Sequence, residues 1–250
     1  MNIVQRIIIF TLLFSCLFFF IRYFHILDEN ILRNNLEGVG WLYSTIGLIF
    51  GMTSAFIIQS QWNNWDNLVN SIRAEVNGLR QLLLFSAHVS VEDHQNAVTL
   101  SIKNYLEKVI KNWRHKEKSK GSEEVAEALV DIQEEMYDLF ERKQSLTIVA
   151  YNIFPNILVL RDHRLHYSSR RIPLTLYILL TFATVLIIIL SLFISVHTLW
   201  LDYIFTLGIA LLAFLIYVVI DDLNHPRRPG NWHVTDDEYK KLLKEIEKKL

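Results

Sequence analysis

The chain has 250 residues, 52% of them hydrophobic, with 25 Lys+Arg against 26 Asp+Glu and a single cysteine. A mean hydropathy of +0.24 is too apolar for an ordinary soluble domain of this length. The near-neutral charge excludes a dedicated nucleic-acid binder, which needs excess positive charge, and the lone Cys16 excludes an internal disulfide framework.

Crossing about 30 Å of hydrocarbon takes about 20 mostly apolar residues in a helix. Four stretches meet that need: Ile7 to Phe24, Val39 to Ile58, Leu174 to Val196 and Tyr203 to Ile220. The third carries no charge and has the core Val185-Leu186-Ile187-Ile188-Ile189-Leu190. The first is expected to be a retained span rather than a cleaved signal peptide. Its apolar run continues past Cys16 through Leu17-Phe18-Phe19-Phe20-Ile21, where a polar mature sequence should begin. Cys16 is then a membrane-packing residue.

Basic residues set the orientation of such spans. The stretch Gln61 to Ile172 carries fifteen Lys+Arg and the tail after Ile220 carries seven. The link between the first two spans holds only Arg22 and Arg33, and the link between the last two holds none. Both termini and the large middle segment are therefore expected in the cytoplasm. Trp41, Tyr43, Trp200 and Tyr203 fall near the outer span ends, where aromatic side chains favour the membrane–water boundary.

The second span does not stop at the bilayer. Ser44, Leu48, Gly51, Ala55, Ile58, Trp62, Trp65, Val69, Ile72, Val76, Leu79 and Leu83 recur in alternating steps of four and three. That spacing predicts one helix with a narrow apolar seam, some 70 Å long at 1.5 Å per residue. Gly47-xxx-Gly51-xxx-Ala55 runs beside the seam, and small residues allow close helix packing in lipid. The seam fits packing within one chain and bundling around an oligomer axis equally well.

The middle segment also reads as helical. Val98, Ile102, Tyr105, Val109 and Trp113 form one apolar face, and Val125, Leu129, Ile132, Met136 and Leu139 another. Lys116 to Ser122 reads as a turn between them, Pro155 as a kink or break, and Pro173 as the first turn of the third span. In the tail, Thr235-Asp236-Asp237-Glu238 has capping-box spacing ahead of the apolar face Tyr239, Leu242, Leu243, Ile246 and Leu250. That helix is expected to dock on the cytoplasmic helices.

Nothing here has the pattern of a catalyst. There is no phosphate-cradling glycine loop, no Gly-x-Ser-x-Gly elbow and no His-Glu-x-x-His. His163 and His166 share a helical face beside Asp162 without a defined third ligand, so neither a metal nor another cofactor is expected.

Several short motifs nonetheless combine. Trp62-x-x-Trp65-Asp66 and Arg73-x-Glu75-x-Asn77 lie on the extension of the second span. Arg161-Asp162-x-Arg164 precedes Pro173, and Asp222-Leu223-Asn224-His225-Pro226 with Gly230 follows the fourth span. In order, spacing and four-span layout the chain resembles the bestrophin-like domain-of-unknown-function family of bacterial membrane proteins. Two positions depart from that pattern: Asn224 stands at the second acidic position, and Pro229 precedes Gly230. The resemblance implies kinship with bestrophins, oligomeric anion channels whose second helix lines a hydrophobic neck. Carried onto this chain, it makes Ile46, Phe50, Ser54 and Ile57 neck candidates.

The residues themselves suggest structural pairing or ion contact. Arg73, Glu75 and Asn77 are placed to meet Arg161, Asp162 or Arg164, and Asp222 to meet one of those arginines or cap a helix. The expected molecule is an all-α protein of the bacterial inner membrane with a cytoplasmic helical domain. Its expected layout is 1–60 for spans one and two, 61–172 for the helical domain, 173–220 for spans three and four, and 221–250 for the tail. Its expected partners are the lipid bilayer, further copies of itself and small inorganic ions. It is read as an ion channel, with anions slightly favoured. The competing readings are a cation channel with acidic mouths at Glu37, Asp202 and Asp221, and a non-conducting scaffold or sensor.

Overall fold

With few prolines and long apolar periodicities, most of the described residues of this hydrophobic chain fold as helices. The computed structural model describes residues 3–24, 36–89, 92–114, 120–142, 147–193 and 198–248. Among these lie α1 (Ile3–Tyr23), α2 (Leu36–Val89), α3 (Glu92–Arg114), α4 (Lys120–Arg142), α5 (Thr147–Ser169), α6 (Leu174–Phe193), α7 (Leu199–Asn224) and α8 (Asp237–Glu247). The described residues include four helical stretches long and apolar enough to cross a membrane. They are α1, the first part of α2, the stretch containing α6, and α7. The helices sort into two units, Met1–Trp65 with Arg170–His233, and Asp66–Ser169 with Val234–Leu250. Residues after Ile220 divide between the units at His233 and Val234.

In the first unit α7 packs against both α1 and α6. Phe14 and Phe18 of α1 meet Ala210 of α7 and Leu192 of α6, where the small alanine lets rings approach. Phe10 and Phe214 stack with centroids 4.1 Å apart. On the other side Phe50 and Ile57 of α2 meet Leu180 and Ile187 of α6 and Ala213 and Ile220 of α7. Hydroxyls that would be stranded in lipid bond their own helix: Thr11, Ser15, Thr181 and Thr184 each donate to the carbonyl four residues back. Large apolar side chains on the outer faces of α1, α6 and α7, such as Leu13, Phe182 and Phe205, are exposed. A bilayer removes the cost of that exposure.

In the second unit α3 packs on α4 and on α8. Val98, Ile102, Tyr105 and Val109 of α3 and Val125, Leu129, Ile132 and Met136 of α4 are buried, on the expected faces. Tyr239, Leu242 and Ile246 seat α8 in the same core. Some local expectations fail. Helix α4 begins at Lys120, so Gly121 and Ser122 are helical rather than in a turn, the rest of that expected turn lying outside the described residues; Pro155 lies inside α5, so it does not break the helix. Because α8 starts at Asp237, Thr235 precedes the N-cap, and its hydroxyl donates to Asp237 at 2.6 Å instead of forming a capping box with Glu238.

The 54-residue α2 is unbroken, and the expected seam is covered within the chain only over part of its length. Among the buried positions of α2, Phe50, Ser54, Ile57, Gln61 and Asn64 in the first unit and Leu68, Ile72, Glu75, Leu79, Leu82 and Ser86 in the second form one stripe, with Ser71, Val76 and Gly78 buried beside it. Those ten steps span the 36 residues from Phe50 to Ser86, a period of 3.6, that of a helix without supercoil. A stripe repeating every 3.5 residues drifts about 20° per heptad on such a helix. It therefore begins on an exposed face at Ser44, Leu48, Gly51 and Ala55 and reaches the buried face only at Ile72, Val76 and Leu79.

Gly78 faces α5 in the second unit, and a Cβ there would lie 2.8 Å from Cγ1 of the buried Ile157. Alanine should gain about 1 kcal/mol of helix propensity and lose about 1–3 kcal/mol to overpacking. Gly78→Ala is expected to lower the melting temperature in detergent; a higher value would show that Ile157 gives way freely.

Candidate functional site

Glu75 of α2 has no solvent exposure in the second unit, and a carboxylate withdrawn from water needs partners. Arg164 of α5 donates through Nε at 2.7 Å and Nη2 at 3.4 Å. Tyr105 of α3 donates its hydroxyl at 2.6 Å and Tyr239 of α8 at 3.1 Å. The Arg164 guanidinium also lies 5.8 Å from the Tyr239 ring centroid. Burial, reinforced by the Glu75 charge, pushes the Tyr105 hydroxyl far above its ordinary value. Burial raises Tyr239 as well, although Arg164 acts in the opposite direction. Both hydroxyls therefore stay protonated and donate. Four helices are joined through one carboxylate.

The first unit holds its ionic groups at the two ends of the span bundle. At one end Arg22 Nη2 contacts Asp202 Oδ2 at 2.7 Å, with both side chains nearly buried. At the other, Arg6 Nη1 lies 3.2 Å from Asp221 and 3.7 Å from Asp222, while His225 Nδ1 lies 3.4 Å from Asp221. Asp222 also accepts from the Asn231 amide at 3.2 Å. A Cβ on Gly230 would fall 2.6 Å from Asp222 Oδ2, so only glycine allows that approach. Nearby, Trp65 Nε1 donates to the Trp232 carbonyl at 2.9 Å, and Trp62 meets Trp232 edge-on at 4.7 Å.

Opposite its buried side, α2 keeps a face that is exposed among the described residues. In the first unit this face carries Ser44, Leu48, Gly51, Met52, Ala55, Phe56, Gln59 and Asn63. Leu48, Met52 and Phe56, four residues apart, are 61%, 59% and 78% exposed. Nothing lies within 4 Å of a Cβ built on Gly47 or Gly51. In the second unit the exposed positions of α2 include Asp66, Asn70, Arg73 and Asn77, with Asn70 donating to Asp66 at 3.0 Å.

A family model for the bestrophin-like domain matches residues 9–228, most of the chain. The chain belongs to the bestrophin-like family. No curated protein matches this bestrophin-like chain, but solved structures share its fold. A singly substituted bacterial bestrophin homolog from Klebsiella pneumoniae superposes with a TM-score of 0.68 at 14% identity, covering 95% of this chain and 97% of that one. A second substituted form gives 0.63 at 16% identity over 98% and 96% of the two chains. A third crystal structure of a Klebsiella pneumoniae homolog, phased on zinc, gives 0.59 at 14% identity over 98% and 97%. Among the described residues, no group of three or more His, Cys, Asp or Glu could hold a metal ion.

The bestrophin-like motifs fall into two separate places. Trp62, Trp65, Asp222, the buried Pro226 and Gly230 belong to the first unit, with Trp62 and Trp65 on Trp232 and Asp222 on Gly230. Asp66, Arg73, Glu75, Asn77, Arg161, Asp162 and Arg164 belong to the second. There Glu75 takes Arg164, whereas Arg73 and Asp162 are exposed and Asn77 accepts from Arg80 at 3.1 Å. Asp222 pairs with Arg6 rather than with the arginines before the third span. Of the expected neck residues, Phe50, Ser54 and Ile57 are buried within the chain and Ile46 is half-buried. Two of the expected acidic mouths are neutralised, Asp202 by Arg22 and Asp221 by Arg6. The Glu37 side chain lies outside the described residues.

Sequence reasoning placed Tyr105 and Tyr239 on apolar faces without a polar task. A tyrosine inside an otherwise aliphatic stripe was the available signal, because a buried hydroxyl needs a partner. Trp232, the third ring of the tryptophan cluster, carried no comparable signal.

Proposed function

We propose that the protein is an oligomeric ion channel of the bacterial inner membrane in which the uncovered face of α2 lines the axis between copies. One contrast carries this reading. The exposed faces of α1, α6 and α7 hold mostly large apolar side chains suited to lipid, whereas α2 exposes Ser44, Gly47, Gly51, Ala55, Gln59 and Asn63 among Trp41, Leu42, Leu48, Ile49, Met52 and Phe56. Small and polar residues suit helix–helix contact and a water-filled path, not acyl chains. Leu48, Met52 and Phe56 replace Ile46, Phe50, Ser54 and Ile57 as neck residues, since a side chain covered by its own chain cannot face an axis. Such an apolar ring gates by dewetting.

Passive passage of small ions follows, with anions slightly favoured because Asp202 and Asp221 are occupied by arginines. Both termini, the 61–172 segment and the residues after Ile220 face the cytoplasm in this reading, by the excess of Lys and Arg there. The test is flux from liposomes under imposed chloride or potassium gradients, alongside the mass of the detergent-solubilised particle. Chloride should leak faster than potassium through a particle of several copies. A monomer that dissipates no gradient overturns the channel and favours a scaffold.

A further inference from the structure

The exposed arginines at one end of the α6/α7 pair are not used by the network around Glu75 or by the α2 face. Arg170 and Arg171 precede α6, and Arg227 and Arg228 follow α7, far apart in sequence. The fold fastens the two segments together. The buried Ile172 amide donates to Asn224 Oδ1 at 2.9 Å, and Tyr177 and Tyr217 share a hydrogen bond of 2.7 Å one turn into the span pair. The second segment is braced in turn: the Arg228 amide donates to the His225 carbonyl at 2.9 Å, and Asn231 is tied to Asp222.

The two arginine pairs are thus held at the same end of one helical hairpin, where burial lowers the Arg171 pKa and the charge of Arg228 lowers it further. At this end Asp221 and Asp222 face Arg6, with His225 also on Asp221. The first turn of α6 adds amides that no earlier helical carbonyl accompanies.

We infer that Arg170, Arg171, Arg227 and Arg228 form a binding site for the phosphate of an anionic phospholipid headgroup. Arginine forks match phosphate oxygens, and a phosphodiester between Arg171 and Arg228 turns their repulsion into attraction. A lipid is favoured over a free anion because the site closes the ends of two membrane-spanning helices, at the depth where headgroups lie. The site is independent of whether the protein conducts.

The test measures thermal unfolding of the full chain in detergent with added phosphatidylglycerol, phosphatidylcholine or inorganic phosphate. Phosphatidylglycerol alone should raise Tm. Replacing Arg171 and Arg228 by glutamine should weaken its apparent affinity about fivefold per arginine. Lys244→Gln, which removes one exposed charge from α8, should leave it unchanged, and Arg171→Lys with Arg228→Lys should retain most of it. Equal shifts with both lipids, a shift with inorganic phosphate as large as with phosphatidylglycerol, or glutamine variants indistinguishable from Lys244→Gln would each overturn the assignment. The lipid comparison on the native protein stands even where a glutamine variant fails to fold.

Discussion

Glu75→Ala is expected to destabilise the protein by about 3–5 kcal/mol, the cost of stranding a buried charge. The guanidinium of Arg164 has a side-chain exposure of only 5%, and its carboxylate partner would be gone. Tyr105 and Tyr239, both fully buried, would also lose their acceptor. Glu75→Gln keeps the shape but removes the charge and turns one acceptor into a donor, so it should fall between alanine and native. The double replacement Glu75→Met with Arg164→Met should cost less than Glu75→Ala, because it leaves no unpaired ion.

Unfolding in detergent followed by tryptophan fluorescence gives the comparison. A Glu75→Ala loss below about 1 kcal/mol would mean that the carboxylate carries no such burden. The same network sets an alkaline limit. Burial raises the hydroxyls of Tyr105 and Tyr239 above the ordinary tyrosine value of 10.0 on folding, so their contribution is fully present below pH 10 and is lost as pH climbs through the raised values.

The second large effect separates the two faces of α2. Phe56→Ala should raise liposome flux about tenfold, corresponding to roughly 1.4 kcal/mol off the barrier of an apolar constriction, with little change in melting temperature. Phe50→Ala should do the reverse. Phe50 is 7% exposed and packs with Leu180, Ile187 and Ala213, so truncation leaves a cavity costing about 3 kcal/mol, while the face proposed to line the axis is untouched. If Phe50→Ala alters conductance without destabilising, and Phe56→Ala does neither, α2 faces the axis with its other side.

Phe50 and Phe56 also mark where sequence reading stops. Their spacing says that both lie on one helix, and the apolar content around them says that the helix crosses a membrane. Which of them meets another helix depends on the period that the folded helix adopts. A pattern of fours and threes fits both 3.5 and 3.6 residues per turn over a few turns, and the two diverge only across the length of α2.

Glu75 and Arg164 show the same boundary differently. A charged residue inside an apolar run demanded a partner, and the acid and the base were both visible 89 residues apart. That Tyr105 and Tyr239 complete the site required α3 and α8 to be packed first, because a hydroxyl on an apolar stripe is compatible with many partners.

Amino-acid order alone determined that the protein crosses a membrane in four spans, that α2 runs on past the lipid and that the motifs of the bestrophin-like family are present. These follow from hydrophobicity and helical period, which act locally along the chain. Tertiary structure decided which face of α2 is covered, which acids are neutralised by Arg6 and Arg22, and that two distant arginine pairs share one end of the α6/α7 hairpin. Those outcomes depend on the close packing of side chains from segments far apart in sequence, and helical period contains no term for that.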